Sequence, residues 1–333
     1  MIVSRAPVRI TLGGGGTDLK SYYYKYGGFV ISAAIDRYCT ILASRRFYDS
    51  IRLSYSEMEM RDNVDEIKHR IFREALKFIG IEKGIELHSV ADVPANSGLG
   101  SSSSFTVSLL NALHAYNRDY VAQKQLAEEA CHIEIDVLGE PIGKQDQYIA
   151  AFGGITCLTF EKSGEVLVEP LRISDETLDQ LESNLVFFFT GKERSASKIL
   201  SDQDERSRKN DLGVIQNLHQ IKDIGLQTRN YLEKGNINML GELLHAHWEI
   251  KKRRSHKISD PFIDECYEMA RNNGADGGKI MGAGGGGFFM FYCNNRDKPR
   301  LSEAMKKMGL KPIRFHFDFE GAKILVNVKR FRQ

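Results

Sequence analysis

Three glycine-rich stretches hold most of the residues that could do chemistry. The first, PANSGLGSSSSF at 94–105, sets four serines directly after Gly-Leu-Gly and just before an apolar run. Serine competes with backbone hydrogen bonds inside helices and is favoured at their starts, so the cluster marks a helix N-terminus with spare hydroxyls. Gly98 and Gly100 would let the backbone approach a ligand, and the amides of Ser101 to Ser104 would point out of that terminus. A phosphate chain suits such a terminus, and a serine hydroxyl can reach Mg²⁺ held between phosphates. Taken alone, a plain serine-capped helix in a loop explains the stretch equally well.

The second stretch, KIMGAGGGGFFMFYC, contains a formal dinucleotide fingerprint at Gly282, Gly284 and Gly287. Its context is wrong, because FFMFYC reads as a strand whereas that fingerprint must open a helix. No Gly-Lys-Ser/Thr follows a glycine loop anywhere in the chain, so a Walker loop is absent. The third stretch, GGGGTDL at 13–19, ends in Asp18, a carboxylate suited to paired hydrogen bonds with neighbouring sugar hydroxyls. In isolation a cap or turn aspartate is the more frequent explanation.

The elements that must hold these loops follow from hydrophobic patterning. IVSRAPVRITL alternates and reads as a strand ending at the first glycines; GGFVISAAID, CTILASRRF and IRLSY read as further strands. Residues 64–79 place Val64, Ile67, Ile71, Ala75, Phe78 and Ile79 on one helical face that Gly80 ends. A strand, IELHSVADVP, leads into the serine loop and a long helix to about Tyr116; a second helix is expected over about 123–138. FGGITCLTF and EVLVEPL read as a hairpin and NLVFFFTG as a buried strand. The chain is helical in period from 211 to 251 and again at PFIDECYEMARNNG, and GGFFMFYC, KPIRFHFDF and AKILVNV read as closing strands.

At 333 residues the chain exceeds the usual single-core size, and a boundary between about 170 and 185 divides it into units 1–178 and 179–333. The 46 basic residues nearly balance the 44 acidic ones, so no global charge draws nucleic acid or a membrane, and anion recognition must be local. Five scattered cysteines without a CxxC pair argue against a disulfide framework or a zinc knuckle and read as reduced core residues. No stretch approaches the roughly 18 apolar residues a membrane span needs, and a cytoplasmic protein is expected.

APVRITLGGGGTD, PANSGLGSSSSF and KIMGAGGGGFF, in this order across residues 5–291, resemble the three motifs of the GHMP small-molecule kinases. GGGGTD, GKQDQYIAAFGG, TGKERSAS and WEIKKRRSHKIS look like the branch that phosphorylates D-glycero-D-manno-heptose 7-phosphate at its anomeric hydroxyl. The resemblance implies an α+β fold of two domains, an N-terminal ribosomal-protein-like α/β domain and a C-terminal ferredoxin-like α+β domain, with the active site in the cleft. It implies ATP and Mg²⁺ as cofactors and a small-molecule sugar phosphate as partner. The product would be the 1,7-bisphosphate for nucleotide-activated heptose synthesis; the oligomeric state stays open, a homodimer included.

Residue by residue, Asp146 stands at the family's catalytic aspartate and would accept the sugar proton. Arg9 matches a cation beside it, and Lys144 is a second candidate for that part. Glu134, twelve residues before Asp146, and Ser102 would ligate magnesium, although Glu128 and Glu129 have equal claim by composition. Pro94, Ser97, Gly98, Leu99, Gly100, Ser101, Ser102, Ser103 and Gly284 would form the nucleotide site. Asp18, Gly15, Gly16 and Thr17 would face the sugar, the two glycines standing where many of the family's sugar kinases carry Glu-His and leaving room for a bulkier acceptor. The 7-phosphate would need cations, drawn from Lys192, Arg194 and Ser195 and from Lys251, Lys252 and Arg254, where a solvated basic helix end is the equal alternative. His245, His247 and His256 read as core or surface histidines. Two other readings are a kinase for a neutral sugar such as fucose and a non-catalytic ATP and sugar sensor.

Overall fold

The structure is a computed structural model, and it describes residues 1–192 and 197–328, the side chains of Ser197 and Lys198 excepted. The first half runs β1 (Ile2–Gly13), α1 (Lys20–Tyr26), β2 (Gly28–Arg45), β3 (Ile51–Ser54), β4 (Met58–Arg61), α2 (Arg70–Ile79), β5 (Ile85–Ala91), α3 (Ser101–Asn117), α4 (Gln123–Cys131), α5 (Gln145–Phe152), β6 (Ile155–Phe160) and β7 (Val166–Pro170). The second half runs α6 (Asp175–Asn184), β8 (Leu185–Phe189), α7 (Ser197–Arg208), α8 (Leu212–Glu233), α9 (Met239–Lys252), α10 (Pro261–Asn272), β9 (Ala275–Ile280), β10 (Phe288–Cys293), α11 (Lys298–Lys307), β11 (Lys311–Ile313) and β12 (Lys323–Asn327).

Two sheets organise the chain. The larger follows the order β12-β1-β2-β5-β3-β4, with β6 on β2 and β7 on β6; the smaller is antiparallel in the order β11-β8-β10-β9. The smaller sheet's βαββαβ path is the ferredoxin-like one expected. The last strand, β12, returns to pair with β1, so a cut near 178 assigns it to the second unit although it completes the first sheet. Successive side chains of a strand point to opposite faces. In β1 that alternation sends Val8, Ile10 and Leu12 into a core shared with Phe187, Phe288 and Met290 of the smaller sheet, while Arg9 and Thr11 turn to the cleft. A second core lies between the larger sheet and α2 to α5.

Three expected elements form differently. GGFVISAAID and CTILASRRF are one strand, β2, whose first half pairs with β6 and second half with β5. The apparent break is a register shift opposite Pro7 and Val8 rather than an end. The helix expected over 64–79 is a short 3₁₀ turn, Val64–Glu66, then α2. Between them Glu59 accepts hydrogen bonds from the Lys68 and His69 amides at 2.9 and 3.1 Å, which holds those amides out of a helix. KPIRFHFDF forms strand only at Lys311–Ile313, with one bridge from Phe317 to Ile35. All five cysteines are buried and free, as expected. Among the described residues no helix is long and apolar enough to cross a membrane.

Candidate active site

A cavity of about 570 Å³ opens between the two sheets and gathers all three glycine-rich stretches. On one side the serine cluster begins α3. Gly100 precedes the helix in the left-handed conformation with no side-chain cap, so the amides of Ser101, Ser102 and Ser103 are left to a ligand. The Arg9 amide donates to the Leu99 carbonyl at 2.9 Å and ties this loop to β1. The KIMGAGGGG stretch packs on the serine loop backbone to backbone. A Cβ on Gly282 would lie 2.7 Å from Gly98 Cα, and one on Gly287 would lie 2.2 Å from the Ser97 carbonyl oxygen. Glycine is required there by close approach, not by helix opening.

Arg9 clamps Asp146 through both forks of its guanidinium, Nε to Oδ1 and Nη2 to Oδ2, each at 2.7 Å. Its remaining nitrogen donates to the Gly98 carbonyl. Asp146 lies in the first turn of α5, not in a loop, and is close enough to the serine loop that a side chain on Gly100 would meet it. Asp18 is buried beside it and accepts from the amides of Gly16 and Gln145 at 3.0 and 3.2 Å and from the Gln145 side chain at 3.3 Å. Burial, then the charge of Asp146, raises the Asp18 carboxyl above the usual aspartate range. Glu134 sits where α4 continues as a π-helical turn, His132–Val137. That turn departs from the regular helix expected and aims the carboxylate inward, where it accepts from Ser102 Oγ and Gln147 Nε2, both at 2.8 Å. Glu129, its rival by composition, is paired with His114 at 2.6 Å. Burial pushes the Glu134 carboxyl up to about 7 despite these donors.

The opposite wall comes from α9, the turn after it and β9. Lys251 Nζ donates to the Ile280 and Gly282 carbonyls at 2.9 and 2.6 Å. Lys279 Nζ lies 3.1 Å from His247 Nδ1 and 3.4 Å from the Leu12 carbonyl. Arg254 donates to Asn217 and Gln203, and a Cβ on Gly16 would lie 2.8 Å from its guanidinium. Burial lowers the Lys279 ammonium to about 7, with Arg9 adding to the effect, and lowers Arg254 to about 10. His247 and Lys251 are driven well below their usual values, by burial first and neighbouring cations second.

The structure thus brings Arg9, Asp18, Gly15, Gly16, Gly98, Gly100, Ser101, Ser102, Ser103, Glu134, Asp146 and Arg254 around one cavity. Others fall elsewhere. Lys144 precedes Asp146 by two residues at the start of α5, on a different face; its ammonium donates to the Gly164 carbonyl at 2.9 Å and lies over Tyr23 in a second cavity. Lys192 pairs with Asp260 at 2.9 Å and Lys252 with Glu249 at 2.8 Å, both away from the cleft. Thr17 is buried, its hydroxyl donating to the Gly14 and Phe29 carbonyls. Ser97, Leu99 and Gly284 support the loops from behind without lining the cavity, and Pro94 is exposed and does not line it either. Arg194 and Ser195 lie outside the described residues. The sequence reading missed Lys279, Gln145 and Gln203, and took His247 for a bystander. One signal was available for Lys279: a lysine inside ADGGKI, a strand otherwise without charge on its buried side.

Residues 66–154 match the GHMP kinases N terminal domain and residues 228–311 the GHMP kinases C terminal domain. The D-glycero-alpha-D-manno-heptose 7-phosphate kinase of Campylobacter jejuni is 32% identical over 97% of this chain and 98% of its own length. A solved D-glycero-D-manno-heptose 1-phosphate kinase from Bacteroides thetaiotaomicron superposes with a TM-score of 0.81 at 26% identity, covering 100% of both chains. A solved putative sugar kinase from Campylobacter jejuni covers 97% of both chains with a TM-score of 0.77 at 29% identity. Kinases of this family take ATP as phosphoryl donor. With both domain matches spanning a single cleft, the chain belongs to the GHMP kinase family and is a sugar kinase.

Proposed function

We propose that the protein transfers the γ-phosphoryl group of ATP to the anomeric hydroxyl of D-glycero-D-manno-heptose 7-phosphate. One observation carries the reading: Asp146, locked by Arg9, stands between the open N-terminus of α3 and the Asp18 and Gln145 side of the cleft. That is where an acceptor hydroxyl must meet a phosphoryl group. The 32% identity to a heptose 7-phosphate kinase over almost the whole chain supports the choice of sugar, and Gly15 and Gly16 leave the acceptor side without bulk.

In this scheme the serine amides and the helix dipole hold the nucleotide phosphates. Asp18 and Gln145 orient the sugar. The new bond joins the anomeric oxygen to the γ-phosphorus as the bond to the β–γ bridging oxygen breaks. The hydroxyl proton passes to Asp146, and Arg9 keeps that carboxylate aimed and adds positive charge beside the moving phosphoryl group.

The cleft also fits a magnesium ion. Glu134 and Ser102 place two hard oxygens side by side, and the buried Glu134 carboxyl has hydroxyl and amide partners in place of a cationic one. Among the described residues no cluster of three acidic, His or Cys groups offers an all-protein cage, so phosphate oxygens and water would have to complete the shell. The ion would neutralise phosphate charge. Phosphorus NMR of the protein with Mg²⁺, ATP and heptose 7-phosphate tests the whole reading. A new anomeric phosphate signal growing as ADP forms is expected; intact ATP with this acceptor, and turnover of fucose instead, would replace the substrate.

A further inference from the structure

We propose that Lys279 and Arg254, with Lys251 behind them, form the binding site for the acceptor's own phosphate, a phosphomonoester remote from the hydroxyl that reacts. The inference deepens the function proposed above and rests on it. It keeps Lys251 and Arg254 from the basic clusters singled out in the sequence, leaves out Lys192 and Lys252, and adds Lys279 from β9.

Three observations converge. First, these side chains are buried, at 3% exposure for Lys279 and 7% for Lys251 and Arg254, and none has a carboxylate within ion-pair distance among the described residues. A buried cation without a counter-ion is costly unless a ligand supplies the charge. Second, Arg254 Nη2 is shielded from solvent and has no hydrogen-bond partner, although Nε and Nη1 are both engaged. The two engaged nitrogens fix the plane of the guanidinium, whose Nη1 would lie 2.8 Å from a Cβ on Gly16, and the third is a spare donor on a side chain that lines the cavity. Third, the nucleotide phosphates already have their own donors across the cleft, in the amides that start α3. A second cationic cluster on the opposite sheet calls for a second anion.

Lys251 and His247 complete the device as positioning groups. Lys251 holds the Ile280 and Gly282 carbonyls, so it fixes the glycine loop while adding field. His247, kept neutral by its surroundings, accepts from Lys279 through Nδ1 and aims that ammonium. Lys279 is faced by His247 and Lys251 from α9 and by Arg9 and the Leu12 carbonyl from β1. With its ammonium lowered to about 7 in the free protein, an arriving phosphate dianion would restore the proton, so binding near pH 7.5 takes up a proton.

Calorimetry on the full chain tests this with heptose 7-phosphate, inorganic phosphate and a non-hydrolysable ATP analogue, comparing wild type, Lys279→Met and Arg254→Met. The two substitutions lie on different elements; Lys279→Met removes a buried unpaired charge and should leave the ligand-free melting temperature unchanged or higher, whereas Arg254→Met also leaves the Asn217 and Gln203 oxygens without their donor and should lower it. Each variant is expected to lose about 30-fold or more in affinity for heptose 7-phosphate, as loss of a charge-assisted hydrogen bond implies, and to keep nucleotide affinity within about 3-fold. Titrations in buffers of different ionisation enthalpy should show proton uptake in the wild type and none in Lys279→Met. Equal losses for nucleotide and sugar phosphate, or an unchanged sugar-phosphate affinity, would overturn the inference while the kinase reading stands. If heptose 7-phosphate is no substrate but inorganic phosphate still binds in a Lys279- and Arg254-dependent way, the site stands and the choice of sugar falls. If no phosphate compound binds the wild type on this wall, both fall.

Discussion

The two walls of the cleft handle charge in opposite ways. On the wall of the larger sheet every principal charge is matched inside the protein: Arg9 by Asp146, Glu134 by Ser102 and Gln147, Asp18 by two amides and a glutamine. On the facing wall Lys251, Lys279 and Arg254 hydrogen-bond only to carbonyls, amide oxygens and a neutral imidazole, with the Asp18 carboxylate acting on Arg254 through space. The matched wall is preorganised for a step that must not wait for its parts to assemble. The unmatched wall is built for something that arrives.

The sharpest break in this comparison is Asp146→Asn. The amide keeps the size of the side chain but cannot take the proton, so kcat should fall by about 10²- to 10⁴-fold while sugar and nucleotide affinities hold. A kcat within threefold of wild type would remove Asp146 from the chemistry.

Next in size is Gly287→Ala, which tests whether the walls must meet. Gly287 has φ +85° and its added Cβ would lie 2.2 Å from the Ser97 carbonyl oxygen, a backbone atom that cannot step aside. The substitution should destabilise by more than about 1 kcal/mol and raise the KM for ATP, because the serine loop is pushed from its seat. An unchanged melting temperature would show that the loops tolerate separation.

Glu134→Gln probes a buried carboxyl of the matched wall that lacks a cation. With its pKa raised to about 7 in the folded protein and near 4.3 unfolded, Glu134 keeps a proton that the unfolded chain has already lost. Stability contributed by that proton is present below about pH 4.3 and is lost as pH rises through 7, at up to about 1.4 kcal/mol per unit. Glutamine cannot lose a proton, so the variant's denaturation midpoints between pH 5 and 8 should fall less steeply than wild type's. The same slope in both proteins would place the burial effect elsewhere.

How far the sequence reaches also differs between the walls. The larger-sheet wall is legible because its residues lie within or beside motifs: Arg9 in the alternating strand before GGGG, Ser102 after GLG, Asp146 in GKQDQY. Glu134 is recoverable only by resemblance, since a regular helix gives no reason to prefer it over Glu129, and the π-helical turn that buries it has no pattern in a single sequence. The facing wall is assembled by tertiary contact. Lys279 on β9 meets His247 on α9 across 32 positions, and hydrophobic periodicity says nothing about which cations such packing encloses. The exposed basic run misleads for the same reason: in KKRR, Lys251 and Arg254 are buried while Lys252, between them, turns to Glu249. Residues three apart share a helix face and their neighbour does not.

The smallest expected effect tests that distinction directly. Lys192 was a natural phosphate candidate by sequence, yet its ammonium is half-exposed, paired with Asp260 and 4.5 Å from the Phe262 ring centre. Exposed pairs of this kind contribute about 0–1 kcal/mol. Lys192→Ala should therefore shift stability by no more than that and leave the KM for heptose 7-phosphate within about twofold, in contrast with Lys279→Met. A tenfold rise in that KM alone would extend the cationic wall past Arg254 to the strand end at Lys192. The phosphate would then be held from two sides, and the buried cluster would be half of its site rather than the whole.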